Sequence, residues 1–327
     1  MRSIVLVPVL TFMVVKVVGC GDSATGQPEV DASVTVDGTT QNDAALEEET
    51  SSVDAAPNDS SVAMDSNDAA APLNALFAHI DGKLVSVDTA TGSLTEVGAT
   101  GQTWITLAWD SKAKIARVIF GNYSPQGGGG TTPKLGTLNL CTGVVTAGPN
   151  IAINNVQVRR AEGLAQDPAT GTFYVTIGTS GNGAATEFLT ESNGTIDVAT
   201  GAVTVLGNHS TYQNDGDLLV SVGGAINMLD IATATSQGAL YTLNTTNGQT
   251  TKRVDTGPKV LRVASDETRG VVYAAYGETN ATARGLAILN MTTGAFTKLG
   301  ADILNTLYPG ATFNGLLSAP KPVCPVN

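Results

Sequence analysis

Asp197-Val198-Ala199-Thr200-Gly201-Ala202-Val203-Thr204 is one of five copies of a single frame. Asp88, Asn139, Asp197, Asn244 and Asn290 each stand four residues before a glycine, at Gly92, Gly143, Gly201, Gly248 and Gly294. A threonine follows three residues after each glycine: Thr95, Thr146, Thr204, Thr251 and Thr297. An apolar residue precedes each Asp or Asn: Val87, Leu138, Ile196, Leu243 and Leu289. The glycines are 51, 58, 47 and 46 residues apart. An Asp or Asn side chain closes a turn by accepting backbone N–H groups two or three residues on. The glycine supplies the left-handed backbone of a short hairpin loop with a bulge. Turn chemistry therefore explains every constant position, and these ten residues are structural. Tight hairpins recurring near every fifty residues predict a radial, all-β architecture rather than one large core.

Five units of about fifty residues fit between positions 73 and 327, each the size of a four-stranded blade. Units two to five supply four strands each; unit one supplies only three, Leu76–Ile80, Leu84–Val87 and Leu94–Val97. The apolar run Ala311-Thr312-Phe313-Asn314-Gly315-Leu316-Leu317-Ser318 follows unit five with nothing left to pair with. As the inner strand of unit one it would close the ring and leave no long edge exposed. A second frame, Ala108-Trp109-Asp110, Ala165-Gln166-Asp167 and Ala264-Ser265-Asp266, ends an apolar strand and opens a polar turn. Its aspartates are expected to be turn residues.

The formal charge of −12 is carried by one segment. Residues 20–72 contain twelve Asp or Glu and no Lys or Arg, whereas residues 73–327 contain 15 Lys or Arg against 17 Asp or Glu. A nearly neutral folded part disfavours nucleic acid, whose binding needs a basic surface. Residues 20–72 have too little apolar surface to offset the entropy of ordering, so a disordered acidic tether is expected. Its flexible coil would reach on the order of 40 Å, more where like charges repel. A calcium-binding tail is the lesser alternative, because the acids lack the spacing of a calcium loop.

Residues 1–19 read as an export signal: Arg2, then an apolar stretch from Ile4 to Val15 that is short for a bilayer span. Val17-Val18-Gly19-Cys20 resembles the lipobox of bacterial lipoproteins. That resemblance implies cleavage before Cys20, acylation of its thiol, and a cell-envelope location in a bacterium. The alternative is an uncleaved anchor or a plain secretory signal. Cys141 and Cys324 remain, in an oxidising compartment. The turn holding Cys141 and the tail after the closing strand emerge on one side of neighbouring units. A bridge there would latch the closing strand; two unpaired thiols are the alternative.

Taken together, A-x-D-x-x-x-G before a strand and x-I-D-x-x-T-G-x-x-T after it resemble the repeats of bacterial β-propellers of the quinoprotein-like and streptogramin-lyase-like superfamilies. The resemblance covers nearly all of 73–327 and implies a five-bladed β-propeller closed by a C-terminal strand. It implies no reaction, because this architecture hosts many chemistries.

Candidate binding residues lie where the inner strands begin. Trp104, Arg159, Arg160 and Glu162 occupy comparable positions there, and Asp215 and Asp217 alternate so as to face one channel mouth. Paired carboxylates could bind a cation or serve as acid and base. A solvated rim is the bland alternative for all six. His79 and His209 are the only histidines, too few for a histidine metal site or an evident nucleophile triad. His79 is expected to be a packed strand residue and His209 a solvent-facing one. The run Gly127-Gly128-Gly129-Gly130 lacks the Gly-Lys-Ser/Thr that a phosphate loop requires. Only Trp104 and Trp109 are present, so repeated tryptophan stacking for a quinone is absent; no cofactor and no metal are expected. The expected function is that of an exported, membrane-tethered, monomeric propeller that presents a binding face to a protein or glycan. The alternative is a small propeller enzyme, a hydrolase, lyase or cyclotransferase using carboxylates at the channel mouth.

Overall fold

The computed structural model describes residues 74–121, 132–178, 191–208, 218–232, 237–257, 259–277, 285–300 and 313–325. They form five four-stranded antiparallel sheets. In chain order the strands begin with β1 (Asn74–Ile80), β2 (Lys83–Val87) and β3 (Leu94–Ala99). The second blade is β4 (Ile105–Asp110), β5 (Ile115–Phe120), β6 (Lys134–Leu138) and β7 (Val145–Asn150). A two-stranded ribbon follows, β8 (Ala152–Ile153) with β9 (Val156–Gln157). The third blade is β10 (Arg160–Gln166), β11 (Phe173–Gly178), β12 (Glu191–Ile196) and β13 (Val203–Asn208). The fourth is β14 (Leu218–Val222), β15 (Ala225–Ala232), β16 (Gln237–Leu243) and β17 (Thr250–Gly257). The fifth is β18 (Lys259–Asp266), β19 (Val271–Gly277), β20 (Gly285–Leu289) and β21 (Phe296–Leu299).

The last strand, β22 (Phe313–Pro320), returns to pair with β1 and completes the first blade in the order β22-β1-β2-β3. The molecule is a five-bladed β-propeller whose ring is closed by its C-terminal strand. All five inner strands run the same way. They begin on what is here called the loop face and end on the turn face, where the chain before Asn74 and the chain after Pro320 both leave.

The five frames fold into five copies of one turn. In each, the Asp or Asn amide donates to the carbonyl just past the glycine, and the glycine amide returns a bond to the Asp or Asn carbonyl. The Asp88, Asn139, Asp197, Asn244 and Asn290 side chains accept the amide two residues on, at 2.8–2.9 Å. Those amides hold the Asp88 and Asp197 carboxyls below the ordinary carboxylate range. Gly201 has φ +76°, and a Cβ there would also overlap the Asn150 carbonyl at the end of β7. Gly143 meets Gly98, Gly248 meets Gly207 and Gly294 meets Asp255 in the same way. At these four positions the glycine is thus required twice, once by its turn and once by the close approach of the preceding blade's outer strand. These contacts run head to tail around the rim.

The core is divided into five apolar layers, one per blade junction. Leu76, Ile80 and Leu316 of blade one pack on Leu261, Tyr273 and Leu286 of blade five. Phe77, Leu84 and Leu317 pack on Ile105, Val118 and Phe120 of blade two. Ile119 and Leu135 meet Leu164, Val175 and Ile177 across the next junction, Ala165 and Tyr174 meet Ile226 and Met228, and Leu229 and Leu240 meet Val260 and Val272. Each blade is apolar on both faces, so no blade can bury its surface without its neighbours.

Two of the aspartates expected to be turn residues do more. Asp110 is buried, pairs with Arg117 at 2.9 Å, and accepts a hydrogen bond from Gln166 of blade three at 3.1 Å. Asp266 is buried at the start of its turn and accepts from Asn74 of blade one at 2.8 Å. Asp167 is a half-buried turn residue, its carboxyl lowered chiefly by the Thr170 hydroxyl. The bridge Cys141–Cys324 ties the tail after β22 to the outer turn of blade two, with Cα atoms 5.5 Å apart.

Candidate functional site

The loop-face mouth is assembled by three backbone irregularities in the inner strands. Pairing of β10 with β11 slips between Ala161 and Leu164, that of β18 with β19 between Val260 and Arg262, and that of β22 with β1 beside Asn314. A bulge re-aims a side chain that regular alternation would send into a neighbouring blade. At this level the bulges present Glu162, Arg262 and Asn314.

Arg160, Gly178 and Glu191 lie in one row across β10, β11 and β12. Gly178 has no side chain to block the row, and a Cβ there would sit 3.1 Å from that of Arg160. The Arg160 guanidinium therefore crosses β11, binding Glu162 at 2.6 Å and Glu191 at 3.3 Å. The bulge is held by threonines: Thr106 of blade two donates to the Glu162 carbonyl at 2.5 Å, and the Gly163 amide donates to the Thr176 hydroxyl at 2.6 Å.

Arg262 is half-buried and donates from Nε to the Asn314 carbonyl at 2.7 Å and from Nη1 to its neighbour's carbonyl at Leu261. Its guanidinium carbon lies 5.6 Å from the Trp104 ring centroid. Crowding around the axis lowers its pKa to about 10, opposed by the more distant Glu162 charge, so it stays cationic at neutral pH. The Asn314 amide in turn donates to the Thr103 carbonyl at 2.6 Å, fixing the segment that carries Trp104.

His79, fully buried on β1, braces the same segment from behind. Its Nε2 lies 3.1 Å from the Gln102 carbonyl and 2.9 Å from the Thr100 hydroxyl, and that hydroxyl lies 2.9 Å from the Gly82 carbonyl. A carbonyl can only accept, so Nε2 carries the proton, and the buried Nδ1 has no partner. Burial lowers the pKa from 6.5 to about 4. His79 is therefore neutral in the fold but protonated in an unfolded chain below pH 6.5. Its contribution is fully present above about pH 6.5 and is lost as pH falls from there to about 4. Unfolding free energy should drop by roughly 3 kcal/mol across that window. Urea titrations at pH 7 and 4.5 on wild type and His79→Gln measure it. An equal pH slope in both proteins would exclude His79 as its source.

Trp104 lies beside Arg262, Arg160 is paired with Glu162 and Glu191, and Arg159 is exposed just outside β10. Asp215, Asp217, His209, the run Gly127–Gly130 and Cys20 lie outside the described residues. Arg262, Asn314 and Glu191 belong to the site without having been marked. The available signal was Arg262 itself, a charge interrupting the apolar run Val260-Leu261-Arg262-Val263-Ala264. Among the described residues, no three His, Cys, Asp or Glu side chains gather as a metal site.

No protein-family model matches this chain, and no curated protein matches it. Among solved structures it is similar to an oligogalacturonate lyase in complex with manganese: 15% identity over 69% of this chain and 62% of that one, TM-score 0.38. An exo-β-1,3-galactanase from Phanerochaete chrysosporium gives 11% identity over 67% of this chain and 56% of that one, TM-score 0.47. TolB from Acinetobacter baumannii gives 14% over 76% and 67%, TM-score 0.43. The chain spans less than two thirds of the length of the first two. These are distant likenesses, and the count of five blades rests on the strand pairing.

Proposed function

We propose that this chain is an exported binding propeller, held at the bacterial cell envelope by lipid on Cys20 and the tether 20–72, whose loop-face mouth engages a protein or glycan partner. The observation that carries the reading is Arg262. It stands beside Trp104 at the channel mouth, bonded to carbonyl oxygens, with Glu162 acting on it only from a distance. Arginine and tryptophan are the residue types that dominate binding energy at recognition surfaces. The address is supported by the lipobox resemblance and by the Cys141–Cys324 bridge, which suits an oxidising compartment.

The test is binding by the full chain to arrayed glycans and envelope proteins, compared with Arg262→Gln and Trp104→Ala. Each substitution is expected to weaken the partner found about thirtyfold. Unchanged binding in both would remove the mouth from the recognition surface. The enzyme reading keeps one observation in its favour, since Glu162 and Glu191 meet at a single guanidinium. A turnover found by activity screening and abolished by Glu162→Gln, Glu191→Gln, Asp215→Ala or Asp217→Ala would replace binding with catalysis.

A further inference from the structure

Arg262 is a cation held by neutral partners. Its Nε donates to the Asn314 carbonyl at 2.7 Å, and its Nη1 donates to the Leu261 carbonyl. Two of the five N–H groups of the guanidinium are thereby used. The rest lie on Nη1 and Nη2, the outer end of the fork. Nη2 makes no hydrogen bond, and it is not sealed from solvent.

No carboxylate of a described residue forms an ion pair with Arg262. Glu162, whose charge reaches it from a distance, is committed to Arg160 at 2.6 Å. A charge half withdrawn from water without an ionic partner is costly, and an anion on the open end of the fork would relieve that cost. Trp104 is itself half-buried and stands beside the guanidinium, with 5.6 Å between its ring centroid and the central carbon.

We infer that the loop-face mouth takes a single carboxylate group, joined to an apolar face, on the outer end of the Arg262 fork and the ring of Trp104; this rests on the reading of that mouth as the recognition surface. The paired N–H groups of Nη1 and Nη2 match the two oxygens of a carboxylate in a planar, two-point contact. One negative charge suits the surroundings better than the double charge of a phosphate monoester. Arg160 is shared by Glu162 and Glu191, so that trio stays net negative and opposes a second charge. The indole offers its large apolar surface to whatever adjoins the carboxylate. Such a group belongs to a sugar acid or to an amino-acid carboxylate, and the chemistry at Arg262 is the same for both.

Trp104 and Trp109 are the only tryptophans, so a full-length Trp109→Phe chain leaves Trp104 as the sole indole reporter. Probes are titrated into it as matched pairs: the methyl glycosides of glucuronic acid and glucose, and N-acetylphenylalanine with its amide. At least one acid should give a saturable change in emission, and its uncharged counterpart should bind about tenfold more weakly or worse. The acid that responds identifies the source. Arg262→Gln should weaken that acid about tenfold or more, and Arg262→Lys by less, because an ammonium keeps the charge but loses the two-point contact. The comparison of acid with neutral counterpart is made on one chain, so it decides even where a change at Arg262 upsets the fold. The inference is overturned by no saturable response to either acid, by equal binding of acid and neutral counterpart, by tighter binding of phenyl phosphate, or by unchanged affinity in a folded Arg262→Gln chain. If an arrayed glycan or envelope protein depends on Arg262 and Trp104 while both acids fail, the carboxylate is wrong and the recognition surface stands. If that partner ignores both residues, both readings fall.

Discussion

A chain that stops before Phe313 is expected to lose the cooperative unfolding transition of the propeller. β22 is the innermost strand of its blade and belongs to two apolar layers at once. Phe313 and Leu316 pack toward blade five, while Leu317 and Ala319 pack toward blade two. Burial of Phe313, Leu316 and Leu317 contributes roughly 5–9 kcal/mol. The strand also carries a ladder with β1 from Asn74↔Pro320 to Ile80↔Phe313. A domain's whole stability is about 5–15 kcal/mol, so removal of β22 consumes most or all of it. Thermal melts followed by circular dichroism compare the truncated and full chains. Addition of a peptide spanning 313–327 should restore the transition in part. A truncated chain that melts cooperatively at the wild-type midpoint would show that the ring does not depend on closure.

Loss of the Cys141–Cys324 bridge is expected to have the next largest effect. The cysteines are 183 residues apart, so the bridge closes a loop that holds blades three to five and the closing strand. In the chain-entropy model a loop of that length constrains the unfolded state by at most about 5 kcal/mol. The bridge also fixes the tail that follows β22, the strand on which closure depends. Cys324 is exposed, so a reductant can reach it. Reduction of wild type and the double variant Cys141→Ser with Cys324→Ser should lower the melting midpoint equally, and the variant should no longer respond to reductant. A midpoint indifferent to both would mean that the latch adds nothing to the closed ring.

The features legible in the sequence are those whose chemistry is local. Asp197 and Gly201 specify their turn within five residues, and five such turns count the blades. The closing strand was legible by arithmetic, since a four-stranded plan left one unit short. Strand ends were less so: β3 runs to Ala99, past the Val97 that marked its end. The β8–β9 ribbon turns at Asn154 and Asn155, both at positive φ, but two-residue strands leave no periodicity to find. Residues acting across blades were the hardest. Asp110 and Asp266 are local turn formers that also bind a neighbouring blade, and nothing near them in sequence announces the neighbour. Arg262 reaches the mouth through a bulge at Leu261, and Arg160 reaches Glu191 only because Gly178 lies between them. Both depend on register, which a single sequence does not reveal.

Asn74 begins a strand paired on both sides, by β22 and by β2. A pull arriving through the preceding chain is therefore directed along β1, and it must shear two ladders together instead of unzipping an edge one rung at a time. One of those ladders belongs to the strand whose tail is fastened to the next blade by a covalent bond. The wheel would resist extraction along β1 more than along an edge strand.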